Sequence, residues 1–176
     1  MTTTAIPRPE PSEYVPYFET YISKLPPKGS LLEVLEDQRR ETQELLAGLS
    51  EAKALYRYAP EKWSIKEVVG HLMDTERVFC YRALRFARAD ELPLQGFDEK
   101  AWVPTGQFDA RSLKDLAAEL DVVRRATIAL FRGLDGEALA RRGIANNNPI
   151  TVRALAWVIA GHERHHLAIL RERYLK

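Results

Sequence analysis

Apolar residues recur at the three-to-four-residue spacing of a helix in four long stretches, each opening on a hydroxyl side chain. Ser30-Leu-Leu-Glu33 reads as a capping box, serine at the N-cap and glutamate three residues on, and Leu31, Leu32, Val34, Leu35, Leu45, Leu46 and Leu49 mark one side of a helix to about residue 49. Ser64-Ile-Lys-Glu67 repeats the signal before Ile65, Val68, Leu72, Phe79 and Ala83, which carry a second helix to about Ala89. Ser112-Leu-Lys-Asp115 opens a third, with Leu116, Leu120, Val123, Ile128 and Leu130 running to about Leu134. Thr151 caps the fourth, whose apolar residues are Leu155, Val158, Ile159, Ile169 and Leu170.

The intervening segments are punctuated by proline and glycine. Residues 1–16 hold Pro7, Pro9, Pro11 and Pro16, too many for a helix interior, and read as an N-terminal arm ahead of a domain spanning 17–176. Residues 17–25 predict a short helix stopped by Pro26-Pro27. From Asp90 to Ala110, Pro93, Gly96, Pro104 and Gly106 predict a long crossover, and its aromatics Phe97, Trp102 and Phe108 predict that it packs on the domain. Residues 135–142 could add a helical turn, and Gly143 to Pro149 is turn chemistry. No window combines β-branched alternation with a hairpin turn, so no sheet is expected. The pattern predicts an all-α fold: a four-helix bundle with one long crossover connection.

Composition narrows the function classes. Lysine and arginine number 26 against 25 acidic residues, leaving no basic excess for nucleic acid. No apolar run reaches the ~18 residues of a membrane span. The N-terminus lacks a basic region followed by an apolar one, and the single cysteine, Cys80, rules out an intrachain disulfide; a soluble cytoplasmic protein is expected.

Three of the four histidines fall in His162-Glu-Arg-His-His166. On a helix, His162 and His166 leave from one face a turn apart, at positions the stripe Leu155, Ile159, His162, His166, Ile169 assigns to the interior. Two readings stay open: buried, hydrogen-bonded histidines, or a pair sharing one metal ion. His71, beside Val68 and Leu72 on the second helix, could face the same cavity and supply a third ligand. His165 is rotated off the stripe by about 100° and stays outside that set. Three neutral imidazoles favour zinc, nickel, iron or copper over calcium or magnesium, with zinc or nickel taken forward, and three protein ligands leave coordination positions open for chemistry. The run also satisfies H-E-x-x-H, but position 169 is Ile and 172 is Glu where a metzincin extension needs glycine and histidine, so a protease is set aside.

Tyr58-Ala-Pro-Glu-Lys-Trp63-Ser-Ile-Lys-Glu67, Gly70-His71-Leu72-Met-Asp74-Thr-Glu76-Arg77 and Ala160-Gly-His162-Glu-Arg-His-His166 together resemble the DinB superfamily, which includes YfiT-like metal-dependent hydrolases and bacillithiol transferases. The likeness runs from about residue 14 to 175. It implies a four-helix bundle with a long crossover, often dimeric, and a divalent metal held by His71, His162 and His166. It also implies a small-molecule substrate, with either water or a low-molecular-weight thiol as nucleophile. The family does not fix a reaction, and a non-catalytic metal-binding or stress-associated protein is the alternative.

The other polar residues yield expectations of lesser reach. Asp74, three residues from His71, could orient an imidazole or hold a water, against a surface pair with Arg77 or Arg82. Glu163 could serve as a general base, against a place on a solvated face. Trp63 reads as a staple at the start of its helix, Trp157 as packing and Cys80 as a buried, unreactive thiol. Trp102 and Asn146 to Asn148 could border a pocket, and Gly70 either admits close approach of a neighbouring helix or is merely tolerated. Arg82, Arg85, Arg88, Arg124, Arg125, Arg141 and Arg142 could meet an acidic cosubstrate but read first as solvated helix faces.

Overall fold

The computed structural model describes residues 5–176. In chain order it contains α1 (Glu19–Ile22), α2 (Leu31–Ala47), α3 (Glu51–Ala54), α4 (Ile65–Ala87), α5 (Glu99–Thr105), α6 (Leu113–Arg132), α7 (Gly136–Ala140), β1 (Arg142–Ala145), β2 (Asn148–Thr151) and α8 (Val152–Ile169). The four long helices α2, α4, α6 and α8 form the bundle expected from the hydrophobic pattern. The hydroxyls of Ser30, Ser64, Ser112 and Thr151 each accept a hydrogen bond from the backbone N–H three residues on, and Ser64 and Glu67 complete a reciprocal capping box. Among the described residues no helix is long and apolar enough to cross a membrane.

Helix adjacency sets where the site can form. α4 packs against both α6 and α8, and α2 packs against both as well, so the consecutive long helices α2 and α4 sit on a diagonal. The two histidine-bearing helices, α4 and α8, are therefore neighbours. α8 is wrapped on every side: of Val152 to Glu163 only Arg153 is more than marginally exposed.

The core is divided across its middle. One apolar cluster gathers Leu31 to Leu35 of α2, Phe79 to Ala87 of α4, Ile128 and Phe131 of α6 and the first half of α8. The other gathers Leu46, Ile65 to Met73, Leu113 to Leu120 and Leu167. Between them each long helix contributes buried polar side chains: Gln38 and Thr42, Thr75 and Glu76, Arg124 and Thr127, His162 and Glu163.

The segments outside the bundle are more ordered than the proline and glycine content suggested. Ile6 is buried, its carbonyl accepts from Trp157 Nε1, and Arg8 donates to the carbonyls of Ile22 and Leu25. The crossover contains α5, and its Phe108 packs where a Cβ on Gly70 would fall 2.3 Å from the ring, so Gly70 admits the crossover instead of a helix. A correction concerns the segment read as a plain turn. β1 and β2 form an antiparallel hairpin around Asn146 and Asn147, both left-handed at φ 49° and 62°, which suits a tight hairpin turn. Its alternation was hidden because the one β-branched residue of β1, Ile144, faces outward, while inward-facing Gly143 lies against the Phe86 ring. The crossover then adds to the hairpin, Leu94 bonding Ile144 and Asn146 through the backbone.

Candidate metal centre

His71 leaves α4 and His162 and His166 leave α8 toward a common point. His71 Nε2 lies 3.0 Å from His162 Nε2, and His166 Nε2 lies 3.1 Å from the same atom. Among the described residues these three form the one group of histidine, cysteine and acidic side chains able to share an ion, their ligand atoms all within 4.8 Å of one another. An imidazole nitrogen carries either one hydrogen or one lone pair, so His162 Nε2 can make an ordinary hydrogen bond to one neighbour but not to both. A cation accepting a lone pair from each ring removes the conflict. Two nitrogens bound at ~2.0–2.1 Å to one zinc stand roughly 3.0–3.4 Å apart, the separation that His71 and His166 each keep from His162. The residues fit a metal.

Electrostatics favours the ligand form. Burial pushes His71 down to about 4 and, with repulsion from His71 and His165, pushes His166 down to about 3. His162 is driven well below the usual range by burial first and by the neighbouring histidines and Arg124 next. All three are neutral near pH 7, as metal ligation requires. Thr75 Oγ1 lies 3.4 Å from His71 Nδ1, one turn along α4, and the Trp63 ring lies 4.8 Å from the His71 ring. Tyr21 stands edge-on to His162 with ring centroids 5.3 Å apart.

The trio borders a cavity of about 530 Å³, walled by Phe18 and Tyr21 near α1, by Trp63 just ahead of α4 and Thr75, Phe79 and Arg82 from it, by Phe97 and Glu99 from the crossover, and by Asn146, Asn148 and Ile150 from the hairpin. His165 reaches the cavity too but packs against Tyr21, outside the trio. Trp63 thus does more than staple its helix, and Asn146 and Asn148 border the pocket as anticipated. Trp102 packs at a tilt against Phe97 and does not line the cavity.

The two candidate acid–base residues lie elsewhere. Asp74 faces Arg77 at 3.8 Å, and burial raises its carboxyl despite that partner. Glu163, expected on a solvated face, is buried. Its Oε2 accepts from Arg124 Nη1 at 2.6 Å and its Oε1 from Thr42 Oγ1 at 2.8 Å. Arg124 is also far from the solvated face its sequence context suggested: it is 2% exposed and forks onto both oxygens of Glu76 at 2.8 Å. The cause is the wrapping of α8, whose apolar run from Ala154 to Gly161 signals burial on all sides, so a residue one step off the histidine stripe meets protein instead of water. Cys80 is held unreactive, its thiol pushed up to about 12 by burial, with Thr127 Oγ1 at 3.2 Å.

Comparison with known proteins gives a consistent picture. A model of the DinB superfamily matches residues 34–170. The chain is 30% identical over 156 residues to YuaE of Bacillus subtilis, an uncharacterized protein, covering 80% of this chain and 95% of that one. It is 25% identical over 143 residues to a protein of Oceanobacillus iheyensis whose name assigns it provisionally as a metal-dependent hydrolase, covering 80% and 81% of the two chains. YfiT from Bacillus subtilis, described as a probable metal-dependent hydrolase with an unusual four-helix bundle topology, matches with a TM-score of 0.73 over 81% of this chain and 82% of its own. At 22% identity that likeness bears on the fold alone.

Proposed function

The chain belongs to the DinB superfamily, and from that premise we propose that it is a metal-dependent enzyme acting on a small molecule, with His71, His162 and His166 holding one divalent transition metal. The observation that carries this reading is the convergence of three neutral imidazoles, two buried and that of His166 half-buried, with both neighbouring Nε2 atoms at 3.0 and 3.1 Å from His162 Nε2, at the wall of a large cavity. Zinc or nickel suits three imidazoles best, with iron or copper next. When bound, the metal supplies Lewis acidity to a nucleophile and to the oxygen of an electrophile.

The chain's own residues supply the rest. Three ligands are fewer than the four of a closed structural site, and all are uncharged, so they leave the ion's charge undiminished. Thr75 restrains the ring of His71 through Nδ1. Trp63, Tyr21 and Phe79 give the trio an aromatic surround that limits water. Hydrolysis is the leading reaction class, in keeping with the name of the Oceanobacillus relative. Thiol transfer is the second. It is favoured by one feature: among the described residues Glu99 is the one carboxylate lining the cavity and none joins the trio's own cluster, and a thiol needs less help than water to ionise.

Metal content of the untagged protein tests the reading. About one equivalent is expected in the wild type and none in His71→Ala or His162→Ala/His166→Ala. A wild type that cannot be loaded would return the trio to the status of core histidines. Loaded protein incubated with an ester electrophile, with and without glutathione, bacillithiol or mycothiol, then separates the reactions. Thiol-independent product release marks hydrolysis and thiol-dependent consumption marks transfer. Tight metal binding without turnover in either arm would favour the non-catalytic alternative.

A further inference from the structure

Two arginines are buried in this bundle, and they are treated oppositely. Arg124 is enclosed by two carboxylates. Arg82, on α4, is 6% exposed and has no carboxylate partner among the described residues. Its guanidinium makes one hydrogen bond, from Nη2 to the carbonyl of Gln95 at 2.9 Å, and lies 5.7 Å from the ring centroids of both Phe79 and Phe97. Buried charges are ordinarily paired, because a lone ion taken out of water loses hydration that two ring faces and one carbonyl only partly replace. Among the described residues the only fully enclosed side-chain polar atom without a partner is Gln38 Oε1. The remaining guanidinium donors of Arg82 therefore touch solvent-accessible space, and Arg82 borders the cavity that holds the histidine trio.

We propose that Arg82 is the anion-binding subsite of this cavity and that the substrate carries a carboxylate on an apolar body, the carboxylate seated on the Arg82 guanidinium. The proposal rests on the cavity being the substrate site and adds the class of molecule that enters it. A guanidinium presents parallel N–H donors that match a carboxylate in two-pronged fashion. The Gln95 carbonyl and the two phenyl faces hold that fork in place before ligand arrives, and the surrounding aromatics accept an apolar body. The other ionisable groups on the cavity wall do not compete for the role. Among the described residues Arg82 is the one arginine or lysine on that wall, and Glu99, the one carboxylate there, forms no ion pair with it.

Titration calorimetry with phenylacetate and its uncharged amide, phenylacetamide, on metal-free protein tests this directly. The wild type is expected to prefer phenylacetate by about tenfold or more. Arg82→Gln is expected to lose the preference and Arg82→Lys to keep part of it. In the wild type the Arg82 Nε–Hε resonance should shift on phenylacetate addition, a readout that does not depend on any variant folding. Equal binding of the two probes, an unmoved Arg82 resonance, or a preference intact in Arg82→Gln would overturn the proposal. A preference present only in metal-loaded protein and intact in Arg82→Gln would seat the carboxylate on the metal, overturning the Arg82 subsite while leaving the metal reading standing. The expected preference in a protein that takes up no metal would support the subsite while the metal reading fails.

Discussion

The polar layer across the middle of the bundle has two halves built on opposite rules. Toward α2 and α6, Arg124, Glu76, Glu163 and Thr42 form a closed group in which both carboxylates bond the guanidinium. Toward the cavity, His71, His162 and His166 aim lone-pair positions at one another without any arrangement of hydrogens that serves all three. The first half is complete as protein. The second is not closed by protein groups alone, which is what the proposed metal would resolve. Buried polar groups placed for stability are satisfied internally, and it is the contrast with that rule that underlies the proposed metal site beside the cavity.

The largest expected effect breaks the closed half. Arg124→Leu leaves Glu76 and Glu163 buried without a counter-charge and should cost about 3–5 kcal/mol in urea denaturation of the metal-free protein. The matching change in the open half, His71→Leu, should cost under about 1 kcal/mol. Similar costs for the two would erase the distinction drawn between them.

An acid titration of stability sharpens the comparison next. Free histidine titrates near 6.5, whereas burial holds His71 at about 4 and His166 at about 3 in the fold. Between those values the unfolded chain binds more protons than the folded one, so the trio's contribution is complete above pH 6.5 and is lost as pH falls through 4. Metal-free protein should therefore lose on the order of 3 kcal/mol for each of the two histidines, roughly 6 kcal/mol together, over that window, and His71→Gln/His166→Gln should flatten most of the slope. A slope unchanged in the double variant would locate the acid sensitivity outside the trio.

The smallest effect falls on Thr75. Thr75→Val removes the hydroxyl 3.4 Å from His71 Nδ1 and should leave stability within about 1 kcal/mol while weakening zinc about tenfold in chelator competition. Unchanged affinity would mean that packing against Trp63 alone orients the ring.

What could be read from the sequence was whatever repeats at short range. Capping residues, a 3.6-residue apolar period and proline placement are local, so Ser30, Ser64, Ser112 and Thr151 announced all four long helices close to their observed starts. The i, i+4 spacing of His162 and His166 is local as well, and likeness of motif joined His71 to them. The hairpin escaped because its inward residues are Gly143 and Ala145, too small to mark a buried face.

What only the tertiary structure decided was every question of which neighbour a side chain meets. An arginine on a helix has the same local signature whether it meets water, two carboxylates or a cavity. Arg125, Arg124 and Arg82 illustrate the three cases: 62% side-chain exposure for Arg125, full enclosure for Arg124 and the cavity wall for Arg82. Glu163 is one residue from a proposed ligand yet belongs to the closed half of the layer, because α8 is buried all round and its successive side chains point about 100° apart into different surroundings. Helix formation is governed by interactions within four residues along the chain. The identity of the facing helix depends on how the whole core packs, and here that packing determines which buried charges are satisfied and which are left facing the cavity.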